Sequence, residues 1–163
     1  MSAKELVMGT VLLVGMAVTS FTQPNPKPVA SNTFVGSTPC GKFILSTLRI
    51  PSNAVCAYMK WELTLLGTES PGEFKLAVSY GDWQPNTMYF KDGGSQLEIA
   101  GRYTSSQGTP FSARRKVYHL TSDKIQGVIE LIEMDGNILH FADTEKNLLV
   151  GDASFGRVLN RIK

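Results

Sequence analysis

The chain has 163 residues, 42% of them hydrophobic and 18% charged, and 16 basic against 14 acidic side chains give a net charge of +2. These values are typical of one globular domain with a packed core, and they exclude wholesale disorder. The balance of charge gives no electrostatic basis for binding nucleic acid or an anionic membrane. The basic cluster at residues 114–116 is only three residues long.

The N-terminus has the layout of a secretory signal. Lys4 precedes a run of apolar or small residues from Leu6 to Val18, and polar residues follow. A membrane span needs about 20 apolar residues, so we predict a signal peptide over residues 1–20, with an uncleaved short anchor as the alternative. No cysteine lies near residue 20. We therefore expect an exported protein, periplasmic or extracellular, that is soluble and not lipidated.

A proline-rich segment follows the predicted signal. Pro24, Pro26 and Pro28 remove backbone donors and hold the chain extended. We predict a flexible leader over residues 21–36 and a single folded domain over residues 37–163.

Alternation of apolar and polar residues predicts β-strands along the rest of the chain. In the first of these strands, Met59, Trp61 and Leu63 alternate with polar residues. The predicted strands are residues 58–66, 74–80, 96–104, 116–121, 127–134, 137–143 and 157–162, and residues 148–151 begin a further segment.

Turn residues separate these strands. Residues 105–110 are predicted to turn the chain, and Asp135-Gly136 is a strong hairpin signal between two apolar runs. A helix over residues 125–134 is the alternative in that region, but its β-branched residues favour a strand. Seven or eight short strands with tight turns predict an all-β fold, a small antiparallel meander barrel or a highly curved sheet.

Several stretches resemble the N-terminal domain of NlpE, a copper-resistance and surface-sensing envelope lipoprotein family of Gram-negative bacteria. The matching features are Cys56 before the strand at 57–66, the segments at 72–80 and 117–121, and the closing region at 137–161. The resemblance implies a lipocalin-like barrel in the cell envelope. The family's Cys-x-x-Cys pair is incomplete here, because residue 53 is asparagine, and the lipid-attachment cysteine is missing. Fold, compartment and the position of Cys56 are therefore carried over, whereas the copper and signalling roles are not.

The two cysteines, Cys40 and Cys56, are sixteen positions apart. In an oxidising compartment this pair favours a structural disulfide. Metal binding and a free-thiol or redox role are the alternatives, although the wide spacing is unlike that of most thiolate metal sites.

The two histidines, His119 and His140, each lie in a predicted strand. If they faced each other across neighbouring strands, they would bind Cu²⁺ or Zn²⁺ with Asp143 or Met134; the alternative is two isolated sheet residues. Catalysis has little support. The sequence has no Gly-x-Ser-x-Gly motif, no serine is placed beside a histidine, and two glutamates three apart in a strand, at 130 and 133, face opposite ways. We expect no enzymatic activity and no cofactor.

The long loop after the strand at 74–80 carries Trp83, Tyr89 and Phe90. Aromatic side chains on an exported loop predict contact with a small ligand or an envelope protein, unless they cap one end of the barrel. The sequence leaves open whether the barrel interior is a ligand cavity or is filled by side chains. We expect an exported envelope protein that acts as a binding or stress-response module, with copper or zinc handling as the alternative.

Overall fold

The computed structural model describes residues 30–162 with the exception of residue 88. The signal peptide predicted over residues 1–20, and residues 21–29 of the predicted leader, lie outside this part. The described chain forms one short α-helix, a 3₁₀ turn at Lys91–Gly93 and eight strands. The helix α1 spans Lys42–Thr47, and the strands are β1 Ser31–Pro39, β2 Tyr58–Leu66, β3 Gly72–Gly81, β4 Ser95–Thr109, β5 Ser112–Thr121, β6 Ile129–Glu133, β7 Ile138–Ala142 and β8 Val158–Ile162.

The eight strands form a closed antiparallel barrel in sequence order. Each strand pairs with the next, and β8 returns to pair with β1 through Thr33 and Ile162. Gly36 permits a close approach at this seam, because a side chain at that position would collide with the backbone of β8. The predicted all-β meander barrel is therefore confirmed, with eight strands.

The barrel interior is filled by the side chains that alternation placed on one face of each strand. Trp61 and Leu63 on β2 are almost fully buried and belong to a continuous core with residues of the other strands. Trp61 also donates a hydrogen bond from Nε1 to Thr38 Oγ1, at 2.9 Å, and its ring lies 4.8 Å from that of Phe141. In the described part of the chain, the space lined by Trp61, Leu131 and Phe141 admits no water molecule. The barrel interior is therefore packed in this region and does not form an open ligand cavity.

The connections differ between the two ends of the barrel. Because successive strands run in opposite directions, alternate connections meet at the same end. One end, the loop end, carries the four long connections at 40–57, 82–94, 122–128 and 143–157. The other, the hairpin end, carries the short turns at 67–71, 110–111 and 134–137.

The two largest differences from the predicted boundaries lie at the start of β1 and at the end of β4. The first strand begins at Ser31, so residues 31–36 belong to the barrel and not to a flexible leader. Strand β4 continues to Thr109, through most of the stretch predicted as a turn at residues 105–110. Residues 129–133 form a strand, as preferred over the helical alternative.

In the described residues, no helix is long and apolar enough to cross a membrane.

Candidate functional site

A disulfide joins the end of β1 to the start of β2. Cys40 and Cys56 are bonded, their Cα atoms are 5.9 Å apart, and no cysteine of the described chain is free. This Cα separation is typical of disulfides. The predicted structural disulfide is confirmed, and it closes the connection that contains α1.

Helix α1 covers part of the loop end. Ile44 and Leu48, four positions apart, lie on one face of the helical turn and are buried in the barrel core. The backbone N–H of Gln126 donates to the Thr47 carbonyl oxygen at 2.8 Å, which ties the connection between β5 and β6 to the helix. The loop end is therefore closed on this side by a short element that the strand pattern did not predict.

Four aromatic rings cover another part of the loop end, and we name Tyr58, Trp83, Phe90 and Phe155 the aromatic cluster. The ring of Tyr58 stacks with those of Trp83 at 4.3 Å, Phe90 at 4.4 Å and Phe155 at 5.4 Å between centroids. The Tyr58 side chain is buried, and burial raises its pKa. The cluster joins β2 to the connections at 82–94 and 143–157.

The three predicted loop aromatics take different positions in this arrangement. Phe90 is only 6% exposed and packs inside, whereas Trp83 is 44% and Tyr89 is 74% exposed. Trp83 and Phe90 form a β-bridge, and the Gln84 N–H donates to the Tyr89 carbonyl oxygen at 3.3 Å. The loop is thus a short hairpin in which Phe90 caps the barrel and the other two aromatics face solvent.

The connection between β7 and β8 supports the cluster from the other side. Phe155 stacks on Trp83 at 5.6 Å as well as on Tyr58. Arg157 holds this connection together, because its Nε donates to the Val150 carbonyl oxygen at 3.0 Å. Burial lowers the pKa of Arg157, although Asp152 opposes that shift. The guanidinium therefore stabilises the connection that carries Phe155.

The two histidines do not face each other across neighbouring strands. His119 lies on β5 and His140 on β7, and β6 separates them. The Nδ1 of His140 lies 2.8 Å from the Phe141 carbonyl oxygen, to which it donates. Among the described residues, no three His, Cys, Asp or Glu side chains are arranged to hold a metal ion.

The sequence suggested two further metal ligands, Asp143 and Met134, and both make structural contacts instead. The Asp143 carboxylate accepts hydrogen bonds from the backbone N–H groups of Glu145 and Asn147, each at 2.9 Å. The Asn147 N–H is the main reason that the pKa of Asp143 is lowered. Met134 packs against a small apolar cluster on the outside of the barrel. Neither residue completes a ligand set with the histidines.

A serine does lie beside a histidine, contrary to the expectation from the sequence. Ser106 Oγ on β4 is 2.8 Å from His119 Nε2, and His119 Nδ1 is 3.3 Å from Glu130 Oε1 on β6. As predicted, Glu133 points the other way, and its Oε2 accepts a hydrogen bond from the Tyr118 hydroxyl at 3.0 Å. Ser106 could not be recognised from the sequence, because residues 105–110 are predicted as a turn, in which a side chain has no defined face.

The sequence matches no family model, and neither a curated protein nor a solved structure is significantly similar to it. The resemblance to the NlpE family therefore stays a prediction.

Proposed function

We propose that this protein is an exported module of the bacterial cell envelope that binds a partner protein through Trp83 and Tyr89 at the loop end of its barrel. The observation that carries the proposal is the exposure of these two aromatic side chains beside a barrel whose core is filled.

The packed interior favours recognition at the surface. A carrier of the lipocalin kind needs an internal cavity, whereas the space between Trp61, Leu120 and Phe141 admits no water molecule. Burial of these side chains stabilises the barrel as a rigid scaffold. A partner is then recognised by what the scaffold presents outside.

Trp83 and Tyr89 have the properties of interface anchors. Tryptophan and tyrosine are enriched among the residues that dominate binding energy, because they bury a large area with few rotatable bonds. Trp83 is held from behind by Tyr58 and Phe155, so little further ordering is needed when a partner covers it. With residues 84–87 they line an open depression at this end.

The disulfide supports an extracytoplasmic location. Structural disulfides persist in oxidising compartments and are rare in the cytosol. The Cys40–Cys56 bond lies at the loop end, near the proposed binding surface. Together with the signal-like N-terminus, it supports export to the envelope.

The topology also directs the loop end away from the preceding chain. Strand β1 enters the barrel at the hairpin end, where Ser31 pairs with Leu66 at the end of β2. The segment before residue 30 therefore joins the barrel on the side opposite to Trp83 and Tyr89. A partner at the loop end meets no obstruction from that junction.

Site-specific photo-crosslinking tests the proposal. A photoreactive phenylalanine analogue is placed at Tyr89 in the full-length protein, expressed in its native host and irradiated in whole cells. We expect one discrete crosslinked product, whose partner is identified by mass spectrometry. The yield of this product should fall when Trp83→Ala is added.

The matched control places the same photoreactive residue at Phe111, which is 50% exposed in a turn at the hairpin end. The proposal is wrong if Tyr89 yields no discrete product, or if Phe111 yields the same one. An unchanged product in the Trp83→Ala background would equally exclude Trp83 as an anchor.

A further inference from the structure

Ser106, His119 and Glu130 form a continuous polar chain on the outer face of the barrel, and we name them the outer-face triad. The Ser106 hydroxyl lies 2.8 Å from His119 Nε2, and the other imidazole nitrogen lies 3.3 Å from the Glu130 carboxylate. A nucleophile within hydrogen-bonding distance of a base, which is itself oriented by a third group, is the arrangement that activates a serine. These residues come from three successive strands, so the rigid sheet holds their geometry.

The contacts define the tautomer of the neutral imidazole. A carboxylate accepts but does not donate, so the Nδ1 atom that faces Glu130 carries the proton. In the neutral imidazole, Nε2 then carries no proton and accepts the hydrogen of the Ser106 hydroxyl. This is the tautomer that a histidine needs to act as a base toward serine.

The surroundings strengthen these interactions. Val117 and Ile132, which point outward beside the triad, are fully buried with Ala142 in a second apolar cluster. The side chains of His119 and Glu130 are only 21% and 12% exposed. Because electrostatic interactions are stronger where water is excluded, Glu130 stabilises the positive imidazolium that forms when His119 takes a proton. Ser106 itself is half-buried at the surface of β4 and can be reached by a reagent.

We propose that Ser106 is an activated nucleophile that accepts the acyl group of small, solvent-accessible activated esters. Ser106 Oγ forms a bond to the carbonyl carbon while its proton passes to His119 Nε2. The bond between that carbon and the alcohol oxygen breaks, and the alcohol leaves with the proton from His119. The products are an ester on Ser106 and the free alcohol. Glu130 is a positioning residue, since it acts through His119.

A fluorophosphonate probe tests this chemistry, because such probes modify activated serines and leave ordinary ones intact. Ser106 Oγ bonds to phosphorus, the phosphorus–fluorine bond breaks, and fluoride and the proton leave. We expect peptide mapping of the full chain to find the adduct on Ser106, and Ser106→Ala to abolish it. His119→Gln should slow labelling about 100-fold or more, the range for loss of a positioned base.

Glu130→Gln tests the positioning role and serves as the deciding variant if His119→Gln does not fold. We expect labelling at least about tenfold slower, because the amide no longer favours the required tautomer. Nitrogen NMR of His119 reports the tautomer of the imidazole, which would not change if Glu130 had only a structural role. It should show protonated Nδ1 in the wild type and a mixture of tautomers in Glu130→Gln.

Two control variants should label at the wild-type rate. Ser105→Ala removes the neighbouring hydroxyl on β4, and His140→Gln removes the other histidine, which contacts Phe141 instead of the triad. The proposal is overturned if wild-type Ser106 stays unmodified. It is also overturned if folded Glu130→Gln labels as fast as the wild type.

Discussion

Replacing Cys40 and Cys56 with alanine is expected to lower the free energy of unfolding by about 3 kcal/mol. The disulfide joins residues 16 positions apart. In the chain-entropy relation, a loop of this length reduces the entropy of the unfolded chain by about 10 cal/mol/K, which corresponds to about 3 kcal/mol at 25 °C. Both cysteines are only partly buried, so we expect a smaller contribution from lost packing.

Loss of the disulfide is also expected to lower the melting temperature by about 10 °C. The roughly 130 residues that the structure describes correspond to an unfolding entropy of about 0.28 kcal/mol/K, and the shift is the free-energy change divided by this entropy. Urea titration followed by tryptophan fluorescence measures the free energy, and circular dichroism measures the melting temperature. Wild-type protein treated with a reducing agent should match the double variant.

Hydrogen exchange locates the change. Because the bond closes the connection that contains α1, amides of residues 41–55 should exchange faster in the double variant, while those of β2 and β3 keep most of their protection. The reasoning is refuted if the double variant has the stability of the wild type. Two thiols titrating per denatured chain would refute the disulfide itself.

Three further outcomes test the core, the barrel seam and the response to pH. Thr38→Val should cost about 1–3 kcal/mol in urea unfolding, because the buried indole N–H of Trp61 loses its acceptor. Gly36→Ala should lower the melting temperature, measured by circular dichroism, far more than Gly156→Ala. Only the former substitution puts a methyl group against the β8 backbone. The pKa of Tyr118 is raised above 10.0, chiefly by burial, so the folded state binds its proton more tightly than the unfolded state. This contribution is complete below the unfolded pKa and is lost as pH rises above about 10, so Tyr118→Phe should show a smaller alkaline fall in urea midpoint.

The parts of the fold that were predictable are those where local pattern and tertiary environment agree. Strand β2 was predicted with its observed bounds, 58–66, because residues 59–65 alternate between buried and more exposed positions. The hairpin at Asp135-Gly136 was also predicted, since glycine there adopts a positive φ. In both places the short-range preference already matches what the barrel requires.

The parts that were missed depend on a partner distant in sequence. Residues 31–36 follow three alternating prolines and resemble a leader, yet β2 and β8 both pair with them. Residues 105–109 are rich in serine and glycine, but β5 pairs with them and extends β4. The helix at 42–47 is shorter than two turns. It is stabilised by the core beneath it, and the disulfide closes the connection that contains it.

The candidate sites divide along the same line. The sequence alone identified the disulfide and the aromatic loop, because the two cysteines have only each other and aromatics in a long loop are conspicuous. The sequence could not show that Phe90 is buried and Trp83 exposed, because the packing at the end of the barrel decides which ring is buried.

The sequence by itself determined the class of fold, a meander of alternating strands with one disulfide, because alternation and cysteine number are properties of the chain. Only the tertiary structure decided that the interior is filled. It alone placed Ser106 against His119 and Glu130, because strand register determines which side chains meet, and register depends on pairing between all the strands.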